Sequence, residues 1–350
     1  MAAKSKAKTK ANTKPKVKKQ LTTDMKIFIV VCTVVTLILA AAIVYIAMPK
    51  DIAVVNKNRI TNAEFKFYFS RAYQQYAIYY ILGQIDENSL VELAKQQALN
   101  NAVEVEYLLQ EAEKENFTVS DDELETSWNE FDTSLKNQAQ ELSISINTLS
   151  RQVYGIRYEK LKDIYKNMVK AQKYYEKIMD GMEVNEDELK AYYEENKDSF
   201  DYNTVRHILI KCDEDAEESV VEEKRKTAQS ILDRINSGED FAELAKKYSE
   251  DDGTKENGGL YEIKKNDTST VEEFKEWAFS HKVGDTGIVK TKFGFHVMKL
   301  EKVTDTFEEL KDEVEESYKL NKYQTAFTEA LNSGEYKIEV KDAYYDFTGI

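Results

Sequence analysis

The sequence predicts an α+β protein, with two helical regions flanking one compact mixed domain and a single apolar span ahead of them. Three observations carry this. Apolar residues recur at helical steps over residues 63–116, 157–179 and 306–332. Seven of the twelve glycines and all three histidines fall between residues 203 and 300, where the pattern turns to strands and shorter helices. Residues 27–48 contain no charge, glycine or proline.

With 42% hydrophobic and 32% charged residues, the 350-residue chain can bury a sizeable core, so general disorder is excluded. Residues 1–26 hold nine lysines and one acid, a net of +8, which leaves −23 for the rest of a chain whose total is −15. A basic tail and an acidic body suit two compartments. The tail is not read as a nucleic-acid arm, because the apolar run follows it directly. Cys32 lies in that run and Cys212 stands alone in the body, so no disulfide within the body is expected.

As a helix, residues 27–48 would be about 33 Å long, enough to cross a hydrocarbon core of about 30 Å. The preceding lysines keep the N-terminus cytoplasmic and put the body outside the cell membrane as a single-pass protein. The alternative is a signal peptide cleaved at Ala40-Ala41-Ala42. Cleavage there leaves Ile43–Met48 as an apolar end, so a retained anchor is favoured. Cys32 sits mid-span after Val30-Val31 and is not read as a lipidation site.

After the anchor, Ala53–Thr61 reads as a strand, a turn at Asn56–Asn58, and a helix start capped by Thr61 or Asn62. In the helix from Ala63, Phe65, Phe69, Tyr73, Tyr76 and Tyr80 share one face, either as a core stripe or as an apolar crevice for unfolded chains. Leu90–Asn116 is a second helix. Val119–Glu125 and Val184–Lys190 echo each other as helix starts with a cap residue and acids in the first turn. A long helix runs from about Arg157 to Met179. Within the mixed domain, Thr204–Lys211 reads as a strand, Ala216–Asn236 and Phe241–Tyr248 as helices, and a glycine-containing loop follows. A helix from Glu272 to Ser280 and strands at Gly287–Lys290 and Phe295–Lys302 close the domain. Helix at Thr306–Asn332 and strand at Glu335–Lys341 end the chain. The stripe Phe307, Leu310, Val314 and Tyr318 needs an apolar partner, which the earlier helices supply.

Two histidines lie in apolar strands, His207 within Val205–Ile210 and His296 within Phe293–Met298. If the strands are neighbours, both imidazoles can share one face, where each neutral ring's one donor and one acceptor can fix the other's tautomer. Other chemistries lack support. Asp213, Asp215 and Glu217 suggest a calcium loop, but Glu218 stands where a hand-type loop needs glycine, and Lys224 where it needs an acid. No zinc spacing and no phosphate-cradling motif is present. Neither a metal nor a cofactor is expected.

Residues 202–303 resemble a parvulin-type peptidyl-prolyl cis/trans isomerase domain. The matching stretches are Val205–Lys211, Phe241–Ser249, Asn257-Gly258-Gly259-Leu260, Val283–Gly287 and Val289–Met298, in family order and spacing. The resemblance implies that His207 and His296 are the two active-site histidines, that Asp251 holds the position of an active-site cysteine or aspartate, and that Thr291 precedes the second histidine. It also implies Phe274 and Leu260 as walls of a proline pocket and Phe293 as its rim. The sequence departs from the family at two places. The usual Gly-Gly-Asp-Leu-Gly is shortened to Gly258-Gly259-Leu260-Tyr261, and Thr270 stands where a pocket methionine is usual.

The flanks resemble the SurA/PrsA-type chaperones, through Val54-Val55-Asn56 with Ile60-Thr61 and Glu64-Phe65, and through Val184–Glu195 leading into Phe200. The resemblance implies a foldase divided as a basic tail (1–26), an anchor (27–48), a helical chaperone region (53–200), a parvulin domain (202–303) and a C-terminal helix and strand packed on the chaperone region (304–350). Its expected partners are unfolded or partly folded exported polypeptides and their X-Pro segments, together with the membrane through residues 27–48 and no nucleic acid. Homodimerisation is left open. Thr270 and the shortened glycine segment keep a non-catalytic chaperone as the alternative.

Overall fold

The computed structural model describes residues 50–349. The basic tail, the apolar run of 27–48, its Ala40–Ala42 cleavage alternative and Cys32 lie outside the described residues. Among the described residues, no helix is long and apolar enough to cross a membrane. The protein is α+β, with a helical part and an antiparallel-sheet domain. Its contacts divide into two units.

The first unit comprises residues 50–106, 128–165 and 338–349. Strand β1 (Asp51–Val55) is the centre of an antiparallel sheet between β2 (Asn58–Thr61) and β7 (Ile338–Val340). Asn56 at φ 57° makes the tight turn between β1 and β2. Helix α1 (Asn62–Ile81) starts with a capping box: Thr61 Oγ1 accepts from the Glu64 N–H, and the Glu64 carboxylate accepts from the Thr61 N–H at 2.7 Å. The aromatic stripe of this helix divides along its length. Phe65 and Phe69 are core residues packed edge-on against Phe347 at 5.0 and 4.9 Å, whereas Tyr79, Tyr80, Ile81 and Leu82 are exposed at the far end. Helices α2 (Glu87–Lys114), α3 (Asp121–Glu141), α4 (Ile146–Tyr154) and α5 (Tyr158–Asp180) follow along the chain, and of these, residues 87–106, 128–141, 146–154 and 158–165 belong to this unit. Within this unit Phe131 stacks on Tyr165 at 4.3 Å and Phe67 on Tyr154 at 5.4 Å.

The second unit comprises residues 107–127 and 166–337. The echoed segments are both helix starts: Ser120 caps α3, and Asn185 caps α6 (Glu186–Glu195). After the short α7 (Lys197–Phe200) comes the mixed domain, with β3 (Tyr202–Lys211), α8 (Glu218–Asn236), α9 (Phe241–Tyr248), β4 (Leu260–Lys264), α10 (Glu272–Ser280), β5 (Thr286–Thr291) and β6 (Gly294–Thr304). The sheet order is β4-β3-β6-β5, all neighbours antiparallel. Strand β4 falls where the sequence suggests a loop, on the sheet edge beside the Gly258-Gly259 turn.

Alternation along β3 and β6 divides the core between the two faces of the sheet. On one face, Ile208, Ile210, Phe295 and Val297 meet Ala228 and Ile231 of α8 and Phe241 and Leu244 of α9. On the other, Val205, Met298 and Leu300 meet Phe274 and Trp277 of α10. Helix α11 (Phe307–Asn332) leaves this domain and lays Phe307, Leu310 and Val314 against Leu189, Tyr193 and Phe200. Further along, its Tyr323 and Phe327 meet Tyr175 and Tyr107 at 4.8 and 4.9 Å. The stripe that demands a partner in the sequence therefore finds one.

Candidate active site

His207 and His296 occupy alternate positions with Val205 and Met298, so both rings lie on the α10 face of the sheet. They are not directly opposite. His207 pairs with Met298 and His296 with Leu209, a diagonal that puts the rings face to face at 5.5 Å with 30° between planes. Their Nδ1 atoms are 3.3 Å apart.

The loop after α9 brings the acid to this pair. Glu250 N–H donates to the Leu209 carbonyl at 2.8 Å, and Ser249 Oγ accepts from the N–H groups of Leu209 and Asp251 at 3.2 and 3.3 Å. This ties the loop to the end of β3 and sets Asp251 Oδ2 3.2 Å from His207 Nε2. Thr254, three residues on, donates its hydroxyl to Asp251 Oδ2 and lies 3.1 Å from the same imidazole nitrogen. On the other side, Thr291 Oγ1 lies 2.9 Å from His296 Nε2 and accepts from the Phe293 N–H at 3.1 Å.

Counting donors assigns every proton in this run. Thr254 spends its one hydroxyl hydrogen on Asp251, so the hydrogen between Thr254 and His207 must come from His207 Nε2. A neutral His207 then accepts at Nδ1, and His296 Nδ1–H donates to it. His296 Nε2 is left as an acceptor, and the Thr291 hydroxyl fills it. The bonds point one way, from Phe293 N–H through Thr291, His296 and His207 to the Thr254–Asp251 pair.

The electrostatics agree with neutral rings beside an ionised acid. Burial pushes His296 down to about 4, helped by its neighbour His207. Burial also lowers His207, against the pull of Asp251. Burial raises Asp251, but hydrogen bonds from Thr254 and the Gly253 N–H and the nearby histidines outweigh it, and the net shift is downward.

These groups open onto a pocket of about 450 Å³. Phe274 forms its apolar floor, edge-on to His207 and His296 at 5.2 and 5.3 Å. Tyr261 stands beside it at 5.9 Å. The Tyr261 hydroxyl is 2.9 Å from Thr270 Oγ1, which itself donates to Asp267 at 2.7 Å, so Tyr261 is the donor. Thr270 thus turns its hydroxyl into a closed chain and not toward the pocket. Phe293, half exposed on the β5–β6 turn, stands at the rim with Lys211, Glu250 and Asp252.

Of the residues singled out in the sequence, His207, Asp251, His296, Thr270, Phe274 and Phe293 line the pocket together. Thr291 is buried behind His296. Leu260 is not in the lining; it pairs with Arg206, and its neighbour Tyr261 faces inward. Thr254 and Tyr261 were missed. A strand reading of Leu260–Lys264 would have turned Tyr261 and Ile263 to one face, and the Asp251/Thr254 spacing of three is the signal for a side-chain turn. Among the described residues no group of three or more His, Cys, Asp or Glu is placed to hold a metal.

Two glycines are required here. A Cβ on Gly259, at φ +77°, would stand 2.2 Å from the His207 carbonyl oxygen, and Gly259 accepts the His207 N–H at 2.8 Å. A Cβ on Gly294, at φ +136°, would stand 2.2 Å from the Ile210 carbonyl oxygen. Both allow the backbone to close on β3 beside the histidines.

A family model described as a PPIC-type PPIASE domain matches residues 190–304, and one described as a SurA-like N-terminal domain matches residues 16–140. The foldase protein PrsA of Caldanaerobacter subterraneus subsp. tengcongensis is 35% identical over 283 residues, covering 77% of this chain and 79% of the relative. The foldase protein PrsA of Clostridium acetobutylicum is 30% identical over 264 residues, covering 71% and 74%. The crystal structure of PrsA from Bacillus subtilis aligns at 25% identity over 76% of this chain and 94% of that one, with a TM-score of 0.29.

Proposed function

This chain belongs to the PrsA family of foldases and carries a PPIC-type parvulin domain, and from that premise we propose that the pocket over His207 and His296 isomerises X-Pro bonds of exported polypeptides. Turning a peptide bond meets a barrier of about 18–20 kcal/mol because the twisted state loses resonance. No bond is made or broken, so the site need only bind the twisted amide better than either planar form. In our reading Phe274 and Tyr261, which takes the place the family resemblance gives to Leu260, grip the proline ring and exclude water. Thr270 lines the same pocket and holds the Tyr261 hydroxyl, and Phe293 closes the rim.

His207, His296 and Asp251 then form the polar side that meets the changing charge on carbonyl and nitrogen, with Thr291 fixing the tautomer of His296. Asp251 acts as an ionised acceptor and not as a nucleophile. The observation that supports this reading most is the one-way run of hydrogen bonds, which holds two neutral imidazoles and one carboxylate at the edge of an apolar floor. The test is the rate at which the protein isomerises a proline-containing peptide. Acceleration that is lost in His207→Ala and Asp251→Ala supports the reading. A rate equal to the spontaneous one overturns it in favour of a non-catalytic chaperone.

The functional division follows the same family reading. Residues 202–303 would be the isomerase, residues 53–200 with 304–350 the chaperone region, and residues 27–48 the anchor of a protein whose body lies outside the cell membrane. Unfolded or partly folded exported chains are its partners. The exposed Tyr79, Tyr80, Ile81 and Leu82 at the end of α1 offer them an apolar surface.

A further inference from the structure

A concave site away from the histidines lies in the first unit and has the opposite sign to the rest of the body. It is a cavity of about 570 Å³ whose charged lining consists of Lys50, Lys66, Arg157 and Lys160 against the single acid Asp346. None of these four cations makes an ion pair with a described residue, although most lysines elsewhere in the structure are paired. The one acid next to Lys50 in sequence, Asp51, is held by Arg59 at 2.6 Å. The first residues of α1, Asn62 and Ala63, also line the cavity, so the positive end of that helix adds to the cations. Clustered cations with no ion pair among the described residues, on a body of net −23, are an arrangement that an anion would stabilise.

Where the chain enters this cavity identifies the occupant. Lys50 follows the apolar run that ends at Met48 by two residues, about 7 Å at full extension. We propose that this cavity docks the phosphate headgroup of an anionic lipid in the outer leaflet, seating the first unit against the membrane surface. The proposal rests on the anchored reading of residues 27–48, because the anchor is what brings the cavity to the lipid. Lys50, Lys66, Arg157 and Lys160 would share the phosphate oxygens, and the polar Asn62 and Thr348 complete the rim.

The test uses the full chain reconstituted into nanodiscs, either zwitterionic or containing about one-third phosphatidylglycerol, with acylation of individual lysines read by mass spectrometry. The proposal expects Lys66 and Lys160 to be labelled several-fold more slowly in the anionic discs, with Lys246 and Lys247 unchanged. Salt that shortens the Debye length to about 3 Å should erase the difference. A second arm uses Lys66→Glu/Arg157→Glu. It should remove the protection of Lys160 while leaving the unfolding midpoint and the isomerase rate as they were. A further arm adds free glycerol phosphate to zwitterionic discs. Protection there equal to that in anionic discs would make the site one for soluble phosphate and overturn the lipid assignment. Equal labelling in both discs also overturns it, and insertion into the zwitterionic discs shows separately whether the anchor holds. If the chain does not insert, flotation with added anionic vesicles reads the cavity directly. Binding lost in the double variant then sustains the site, and binding unaffected by it ends the proposal.

Discussion

Nδ1 of His207 and Nδ1 of His296 face each other across 3.3 Å, and only one of them can hold a hydrogen. That geometry requires at least one ring to be neutral, and Thr291 and the Thr254–Asp251 pair decide which nitrogen carries the proton.

Acid should therefore weaken both fold and activity. Both histidines have folded values below their ordinary 6.5, His296 at about 4, so the unfolded chain binds more protons between those limits. This contribution to stability is fully present above about pH 6.5 and falls as pH drops toward 4, as the pair takes up protons. The depressed Asp251 adds a loss of the same sign at still lower pH. Urea midpoints across pH 4–8 measure this. A midpoint that stays flat or rises toward pH 4 would contradict the neutral pair.

Removing the hydroxyl that joins Asp251 to His207 should loosen the site without emptying it. Thr254→Val is expected to lower kcat/KM about tenfold, the loss of one hydrogen bond to a charged group, and Thr254→Ser to restore most of it. The pH profile of the valine variant should shift as well, because His207 loses its fixed tautomer. Equal rates for valine and serine would leave Thr254 with no part in the network.

Phe274 both floors the pocket and fills the core under α10. Phe274→Ala is expected to cost about 3–5 kcal/mol of stability and to raise KM for proline peptides, whereas Phe274→Leu should keep most of the stability and lose affinity. Chemical unfolding and steady-state kinetics separate the two effects.

Gly259 and Gly238 provide a paired comparison. Both have positive φ, but a Cβ meets the His207 carbonyl at Gly259 and nothing within 4 Å at Gly238. Gly238→Ala should cost about 1–2 kcal/mol, the penalty for a Cβ at positive φ. Gly259→Ala must also push β4 away from β3, so it should cost more and lower activity. Similar losses at both sites would show that the close approach does not matter.

Much of this was readable from residue order because the decisive signals are local. Alternation put each histidine on a defined strand face, and the Phe307–Tyr318 stripe called for a helical partner. What escaped depended on pairing between distant segments. The diagonal offset of His207 and His296 is set by the β3–β6 register, which no local pattern encodes. Strand β4 has only five residues and follows two glycines, so it reads as loop until β3 supplies its partner. The same cause hid Tyr261. Sequence shows only that Thr270 is polar, not that its hydroxyl is consumed by Asp267 and Tyr261.

The middle strand of the small sheet has a consequence for the order of events during synthesis. Strand β1 pairs at once with β2, but its second edge waits for β7, whose residues 338–340 emerge almost three hundred residues later. Until then an open strand edge persists, the kind of surface that invites pairing with any extended chain. The two histidines are likewise 89 positions apart, so the pocket they share cannot exist before β6 has emerged. A protein that tends unfinished chains thus passes through a long unfinished stage itself, and a ribosome stalled before residue 338 would leave it with an unpaired edge.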